Sequence, residues 1–419
     1  MVASTDIKYF TFENLNAPQL QNAYGSMIDV LDACLVNGIS IGVVSSLTSV
    51  GTTVTATFST AHKLLQYQVL KISGANQAEY NGEYRILTVP NATSVTFELG
   101  STPSVTTASG VITASLPPLG WEKPFSSVNA AGGGKAAYRS QNMLLPSRPF
   151  LRVVDELDPA YVATYAKYAK VGIVEDMSDI DTMLGVQAPF DLAVPDKNWV
   201  GTTGSAPTNT FNGWSKWYYA NISISGITVD SIAAASGPRQ WTLIGNGDWF
   251  YILPATTPNN DLAFIYGFGA FNSLLNVDAS ATFLGSTLFY SQAGASYNKG
   301  FYTGLGTPMG TAKCLIQRKY TQEATYVESS QLSLAATSFL GSGQSDNFGA
   351  ASLANTVNFA PVFLSEMVLR GELPSIRWLF HRQPYLNRQA FENSGSIFIS
   401  VHTYSYSASG AVVFELGNI

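Results

Sequence analysis

The chain has 419 residues, of which 46% are hydrophobic and only 12% charged, and its net charge is −6. An ordinary soluble domain carries about 25% charged residues, mostly on its surface, so this surface is either covered by partners or made of Ser, Thr, Asn and Gly. With no basic tract beyond the Arg318-Lys319 pair, nucleic-acid binding through phosphates is not expected, and with no apolar run of ~18 residues neither is membrane insertion.

The first element is a helix. Within residues 17–36, Leu20, Tyr24, Met27, Leu31 and Leu35 recur at helical spacing. Pro18 suits a first turn and Asn37-Gly38 a C-terminal stop, although Gly25 interrupts the run. From residue 39 the texture changes. "GTTVTATFST" alternates, "YQVLKIS", "EYRILTV", "VTFEL" and "GVITASL" follow, and Gly, Asn and Pro turns separate them. Short strands at this spacing read as a small antiparallel barrel or sandwich. Adjacent prolines in "LPPLGWEKPF" mark a boundary, and "NAAGGGKAAY" after it reads as a flexible loop. Residues 158–176 are ambiguous between helix and strand, and strand is favoured by the flanks. "WSKWYYANISISGITV", "RQWTLIGNGDWFYILPA" and "DLAFIYGFGAFNSLL" combine aromatic and β-branched residues, with a hairpin at Gly245-Asn246-Gly247-Asp248. A strand is expected near 314–319, then a long Ser/Gly/Asn loop to about residue 358 that meets a partner or moves. A last hairpin turns around Ser409-Gly410. The expected fold is therefore all-β, mainly an antiparallel sandwich or barrel, with one N-terminal helix. Residues 1–40 join the main domain of 117–419, and 41–116 form an inserted small β-module.

The module resembles a small β-domain of tailed-phage virion proteins, itself similar to the first catalytic-cysteine half-domain of ubiquitin-activating enzymes. The resemblance rests on Ala61-His62, Ile72-Ser73-Gly74, Tyr80-Asn81-Gly82 and Thr96-Phe97. It departs at Lys63, where the family carries glycine. It imports no ubiquitin chemistry, since the module holds no cysteine. The remainder is similar to phage structural proteins of uncharacterised role, through residues 120–126, 135–140, 151–156, 177–182 and 368–376. Together these resemblances imply a subunit of a virion, made in a bacterial cytoplasm and located in the tail, neck or baseplate. The opening "MVASTDIKYF" agrees, because it has neither the basic start nor the apolar stretch of a secretory leader. Partners would be further copies in a ring or tube and other virion proteins, since low exposed charge favours association. On composition alone an ordinary secreted β-protein, which also tends to be rich in Ser and Thr, is the less favoured alternative.

Motifs for chemistry are weak. "GGGKAA" (132–137) lacks the earlier glycine and the following Ser/Thr of a phosphate loop, because those positions hold Asn129 and Ala136. Ser296 and Lys299 match a Ser-x-x-Lys element and Ser345-Asp346-Asn347 its second element, but the third is absent and glycines flank the first. His62, His381 and His402 have no His or Cys at ligand spacing. Asp155, Glu156, Asp158, Glu175, Asp176, Asp179 and Asp181 could bind Ca²⁺ or flank a glycosidic bond, although a solvated, turn-forming role is commoner. Cys34 and Cys314 read as buried thiols. Trp199, Trp214, Trp217, Tyr218, Tyr219, Trp241, Trp249, Phe250 and Tyr251 form an aromatic belt; alternation puts about half of it in a core and leaves the rest for an interface or for sugar stacking. No catalytic, cofactor or metal residue is assigned and no cofactor is expected. The expectation is a non-enzymatic structural subunit. A virion adhesin for host receptors or surface glycans is the alternative, and a glycan or cell-wall hydrolase comes third.

Overall fold

Antiparallel strands in three sheets, with one short helix near the N-terminus, make up the computed structural model. It describes residues 2–158, 162–165, 167–200, 213–221, 233–288, 305, 313–332, 359–379, 385–405 and 408–419. Among them no helix is long and apolar enough to cross a membrane.

The largest sheet begins with Lys8–Thr11 beside Trp241–Gly245. It continues through Trp249–Pro254, Tyr266–Ala270, Thr282–Gly285, Lys313–Ile316, Val327–Leu332 and Phe359–Glu366. Val368–Leu379, Ala408–Asn418, Ser396–Ser405 and Ala390–Asn393 complete it, and Asn272–Ser273 pairs with Val368–Leu379 off this path. The two ends of the sheet return toward each other. Ser4 N donates to Asn418 O at 3.2 Å, and Ala263 bridges Thr403 in parallel. The sheet thus curls around a core that includes Ile244, Phe283, Ile376, Ile399 and Phe414. Tyr251 crosses this core, with its ring 5.2 Å from Phe414 and its hydroxyl donating to Pro374 O at 3.0 Å.

A second sheet runs Thr287–Leu288, Ser215–Ala220, Lys167–Asp179, Phe150–Glu156, Gly133–Ser140, Trp121–Val128, with Thr182–Ala188 also on Lys167–Asp179. It packs on the outer face of the large sheet, where Leu243, Phe250, Ile252 and Phe268 meet Trp121, Tyr138, Leu151 and Trp217. Trp241–Gly245 and Trp249–Pro254 are therefore buried along their whole length. Strands covered on both faces read as continuous apolar runs, not as alternation.

The helix is shorter than its periodicity suggests. Gly25 takes φ +89°, outside the right-handed helical region, and the helix begins only after it, at Ser26–Leu31, continuing as a π-helix over Asp32–Asn37. Leu20 instead bridges Arg239. Met27, Val30, Leu31, Cys34 and Leu35 are buried. Three further expectations need correction. Residues 129–137 are not a flexible loop: they turn and return as a strand, with Asn129 N donating to Gly133 O at 2.9 Å. A Cβ on Gly133 would lie 1.9 Å from Asp155 O, so glycine is what lets these strands close. The loop after residue 319 is interrupted by Val327–Leu332, whose inward residues Ser329 and Gln331 are polar and hid the alternation. The last hairpin turns between Ser405 and Ala408, so Ser409-Gly410 lie within its second strand.

Residues 39–116 carry the third sheet, in the order Gly82–Arg85, Val69–Ala75, Gly110–Leu116, Ile39–Val50, Thr53–Phe58, Ser94–Glu98, Thr88–Asn91. Ile39–Val50 serves two partners, pairing with Gly110–Leu116 through its first half and with Thr53–Phe58 through its second. The motif residues have plain structural work. Tyr80 is buried and donates to Val105 O at 2.7 Å. The Asn81 side chain accepts from Ala75 N at 3.0 Å and donates to Ala75 O at 2.8 Å. His62 Nδ1 accepts from Leu64 N at 2.9 Å, across the turn that holds Lys63.

This third sheet is fastened to the body by buried polar groups. Arg85 donates to the carbonyls of Ser4, Ile7, Tyr67 and Leu416. Burial pulls its pKa down to about 10, so it stays charged at neutral pH. Gln68 Nε2 donates to Tyr9 O at 3.1 Å and to Asn14 Oδ1 at 2.9 Å, and Tyr67 donates to Glu392.

Lys63 adopts φ +56°, the left-handed conformation that glycine takes at no steric cost. A side chain there costs about 1–2 kcal/mol, and glycine's extra unfolded-state freedom offsets roughly 0.5–1 kcal/mol of that. Lys63→Gly is expected to raise stability by up to about 1 kcal/mol, read from the urea midpoint. A loss of stability would mean that the Lys63 side chain contributes something its exposure does not suggest.

Candidate functional site

The carboxylates singled out in the sequence are occupied by structural partners. Asp155 is fully buried, and its Oδ2 accepts from Met27 N at 3.0 Å and from Ile28 N at 3.5 Å. Its Oδ1 accepts from the Tyr219 hydroxyl at 2.6 Å. Burial outweighs these hydrogen bonds and raises its pKa from 3.8 to about 6. Asp158 pairs with Lys170 at 2.8 Å, out of water, and the ammonium also donates to Trp199 O at 2.6 Å. Glu175 pairs with Arg318 at 2.5 Å and accepts from Val186 N at 2.8 Å. Asp181 meets Lys135 at 2.8 Å and Arg152 at 2.6 Å; burial pushes its pKa up, but these two cations hold it below the usual range. Asp179 accepts the amides of Asp181 and Thr182 in a turn. Glu156 is half-buried at a strand end and Asp176 is exposed. Among the described residues no group of three His, Cys, Asp or Glu could hold a metal ion.

The other sequence candidates separate similarly. His62 is buried, and desolvation lowers its pKa. His402 lies 3.8 Å from Asp261 on the last hairpin. His381, Ser296, Lys299 and Ser345-Asp346-Asn347 lie outside the described residues. Cys34 and Cys314 are both buried, and burial pushes both thiols up. The aromatic belt needs a correction: all nine of its rings are buried in this chain, not half. The two sheets and the curled core leave that region no outward face.

Sequence reasoning missed an ionic cluster at one end of the large sheet. Arg370 is fully buried. Its Nη2 meets Asp278 Oδ2 at 2.8 Å, and its Nη1 meets Glu366 Oε2 at 2.5 Å and Arg318 O at 2.9 Å. Asp278 also accepts from Ser273 Oγ at 2.8 Å and from Ser280 N at 3.1 Å. Burial pushes its carboxyl up, but the hydrogen bonds from Arg370 and Ser273 and the guanidinium charge hold it below the usual range. Glu366 Oε1 accepts from Tyr320 N at 3.1 Å, and Gln322 Oε1 accepts from Ala279 N at 3.2 Å. One guanidinium thus pins two loops and a hairpin turn into a single platform.

What that platform presents is apolar. Leu274, Val277, Tyr320, Met367 and Leu369 are all exposed, Met367 to 98% and Val277 to 77%. Each is a member of the cluster or a direct neighbour of one in sequence. Backbone pairing draws them together: Leu274 N donates to Arg370 O at 2.8 Å, and Glu366 pairs with Val368 across the Met367 turn. Met367 itself has φ +57°. That left-handed turn favours Asn or Gly, and because the sequence places a methionine there, no turn residue marked this end. Compared with known proteins, the chain matches no family model and no curated protein.

Proposed function

We propose that the chain is a non-enzymatic structural subunit of a tailed-phage particle, in the tail, neck or baseplate, and that it assembles into a ring or tube through the apolar end of its large sheet. The observation that carries this reading is the set of five exposed apolar side chains held on a buried ionic platform. Burying one such side chain contributes about 1.5–3 kcal/mol. Partly buried as some of them already are, the five together still reach into the roughly 4–15 kcal/mol that association costs, whereas a single one does not. The rigid platform lowers that cost further, because its loops are ordered before contact. The sparse charge of the chain agrees, since few charged groups would need desolvation.

The test is the size of the purified chain by light scattering and its shape by negative-stain imaging. Closed rings or tubes are expected. The double variant Leu274→Asp, Met367→Asp should weaken assembly about 100-fold or more while leaving the unfolding midpoint unchanged, because both side chains are exposed. A unmodified chain that stays monomeric at high concentration, or a double variant that assembles as well as the parent, overturns the reading.

A further inference from the structure

The turn at residues 59–66 leads from Thr53–Phe58 toward Val69–Ala75, at the seam between the third sheet and the N-terminal segment. His62 locks it from within. Its ring is buried; Nδ1 accepts from Leu64 N at 2.9 Å, and Nε2 lies 3.2 Å from Asn91 O. An amide N–H only donates and a carbonyl only accepts, so the ring is neutral with its proton on Nε2. The His62 backbone N donates to Ala92 O at 3.0 Å, and Leu64 is packed into the core. On its other side the turn is tied to the body. Lys63 O accepts from Asn14 Nδ2 at 3.0 Å, and Asn14 exchanges two further hydrogen bonds with Gln68, each of 2.9 Å.

A second proton on His62 breaks this arrangement. Imidazolium carries an N–H on both nitrogens, so Nδ1 would set a donor against the Leu64 N–H. Two buried donors left unpaired cost more than one hydrogen bond contributes. The surroundings do not offset that cost. Among the described residues no carboxylate pairs with His62. Lys63, the other titratable residue of the turn, adds like charge. Ser94–Glu98 carries Glu98 at its far end, where Thr53 Oγ1 donates to it at 2.5 Å. Glu13, in the N-terminal segment beside the turn, is held by Arg388 at 3.1 Å. Desolvation outweighs the backbone hydrogen bonds at Asn91 and Ser94 and lowers the pKa of His62 from 6.5. An opened turn binds the proton more readily, so the lock is complete above about 6.5 and weakens as pH falls below it.

We propose that His62 is an acid-sensitive latch: at neutral pH it holds the turn at residues 59–66 closed against the body, and its protonation in mild acid opens that turn while the rest of the third sheet stays folded and attached. The other ties involve no histidine. Arg85 keeps its bonds to the carbonyls of Ser4, Ile7 and Leu416, and Tyr67 keeps its bond to Glu392. Opening therefore frees Asn14 from Lys63 O and brings Leu64 to solvent without unseating the sheet. The latch does not depend on assembly, because it involves none of the five residues of the apolar end.

Hydrogen exchange of the full chain tests the latch, read by mass spectrometry as protection factors so that the intrinsic pH dependence of exchange cancels. Protection over residues 59–66 should fall about 10-fold between pH 7.5 and pH 5.0, out of the roughly 30-fold that about 1.5 pH units below the ordinary imidazole value allow. Val69–Ala75 and Trp249–Pro254 should keep their protection or gain some, because Asp155, raised to about 6, stabilises the fold as pH falls. His62→Asn supplies an oxygen that can accept from Leu64 N and does not titrate, so its turn should be equally protected at both pH values. His62→Ala removes the acceptor and should leave the turn open at both. Unchanged protection in the parent, the same acid response in His62→Asn, a closed turn in His62→Ala, or a loss that spreads over Val69–Ala75 would each overturn the latch.

Discussion

Arg370→Ala is expected to lower stability by about 3–5 kcal/mol, because it leaves two buried carboxylates without their cation. That is a large share of the roughly 5–15 kcal/mol by which a domain is stable. The guanidinium is fully buried, and Asp278 and Glu366 are nearly so. Arg370→Lys should recover only part of the loss, since an ammonium cannot reproduce the fork that meets Asp278 through Nη2 and Glu366 through Nη1. The pH dependence separates this mechanism from simple loss of packing. In the parent protein the Asp278 carboxyl lies below its usual range, so its contribution is present above the unfolded value near 3.8 and disappears as pH falls through the lower folded value. Without Arg370 the Asp278 carboxylate sits buried without its cation, burial then raises its pKa, and mild acid relieves it. The deficit of Arg370→Ala should therefore shrink between pH 7 and pH 5 in urea titrations. A deficit that stays constant over that range would mean that the lost energy is packing, not uncompensated charge. The same variant releases the loops that carry Leu274, Val277 and Tyr320, so under the proposed assembly reading association should fail even at temperatures where the fold survives.

The all-β class was legible because part of the chain alternates. Thr53–Phe58 buries Val54, Ala56 and Phe58 and turns its threonines outward, as a strand covered on one face must. The hairpin at Gly245–Asp248 was legible from its turn residues. Alternation fails where both faces are covered, which is why the aromatic belt looked half exposed and is wholly buried. It also fails where a strand points polar groups inward: Ser329 Oγ donates to Cys314 O at 2.8 Å, and Val327–Leu332 consequently read as loop. Helical spacing overran the true helix because Leu20 is buried through a strand-like bridge rather than a helical face. The ionic platform was out of reach for another reason. Asp278 and Arg370 are 92 residues apart, and no local pattern announces that a curled sheet will bring one loop against a strand so distant in the chain.

Asp155 illustrates how a group chosen for chemistry turns out to govern pH stability, and the effect should be nearly as large. Its pKa is raised to about 6 in the fold, against 3.8 as the ordinary value. A raised folded value contributes stability that is fully present below about 3.8 and is lost as pH rises through about 6. Between pH 4 and pH 8 the parent should therefore lose about 3 kcal/mol, to within a factor of two, relative to a side chain of the same shape that does not titrate. Asn is that side chain. Its Oδ1 can still accept from the amides of Met27 and Ile28, and its Nδ2 faces the Tyr219 oxygen, which can accept. Asp155→Asn should match the parent near pH 4 and exceed it at pH 8, whereas Asp155→Ala should fall below the parent at pH 4, having lost both the cap and the tyrosine contact. Urea midpoints measured across this range decide the matter. If the curves of the parent and Asp155→Asn run parallel from pH 4 to pH 8, the buried carboxylate is carried without cost, and the Tyr219 hydroxyl and helix amides must compensate its desolvation in full.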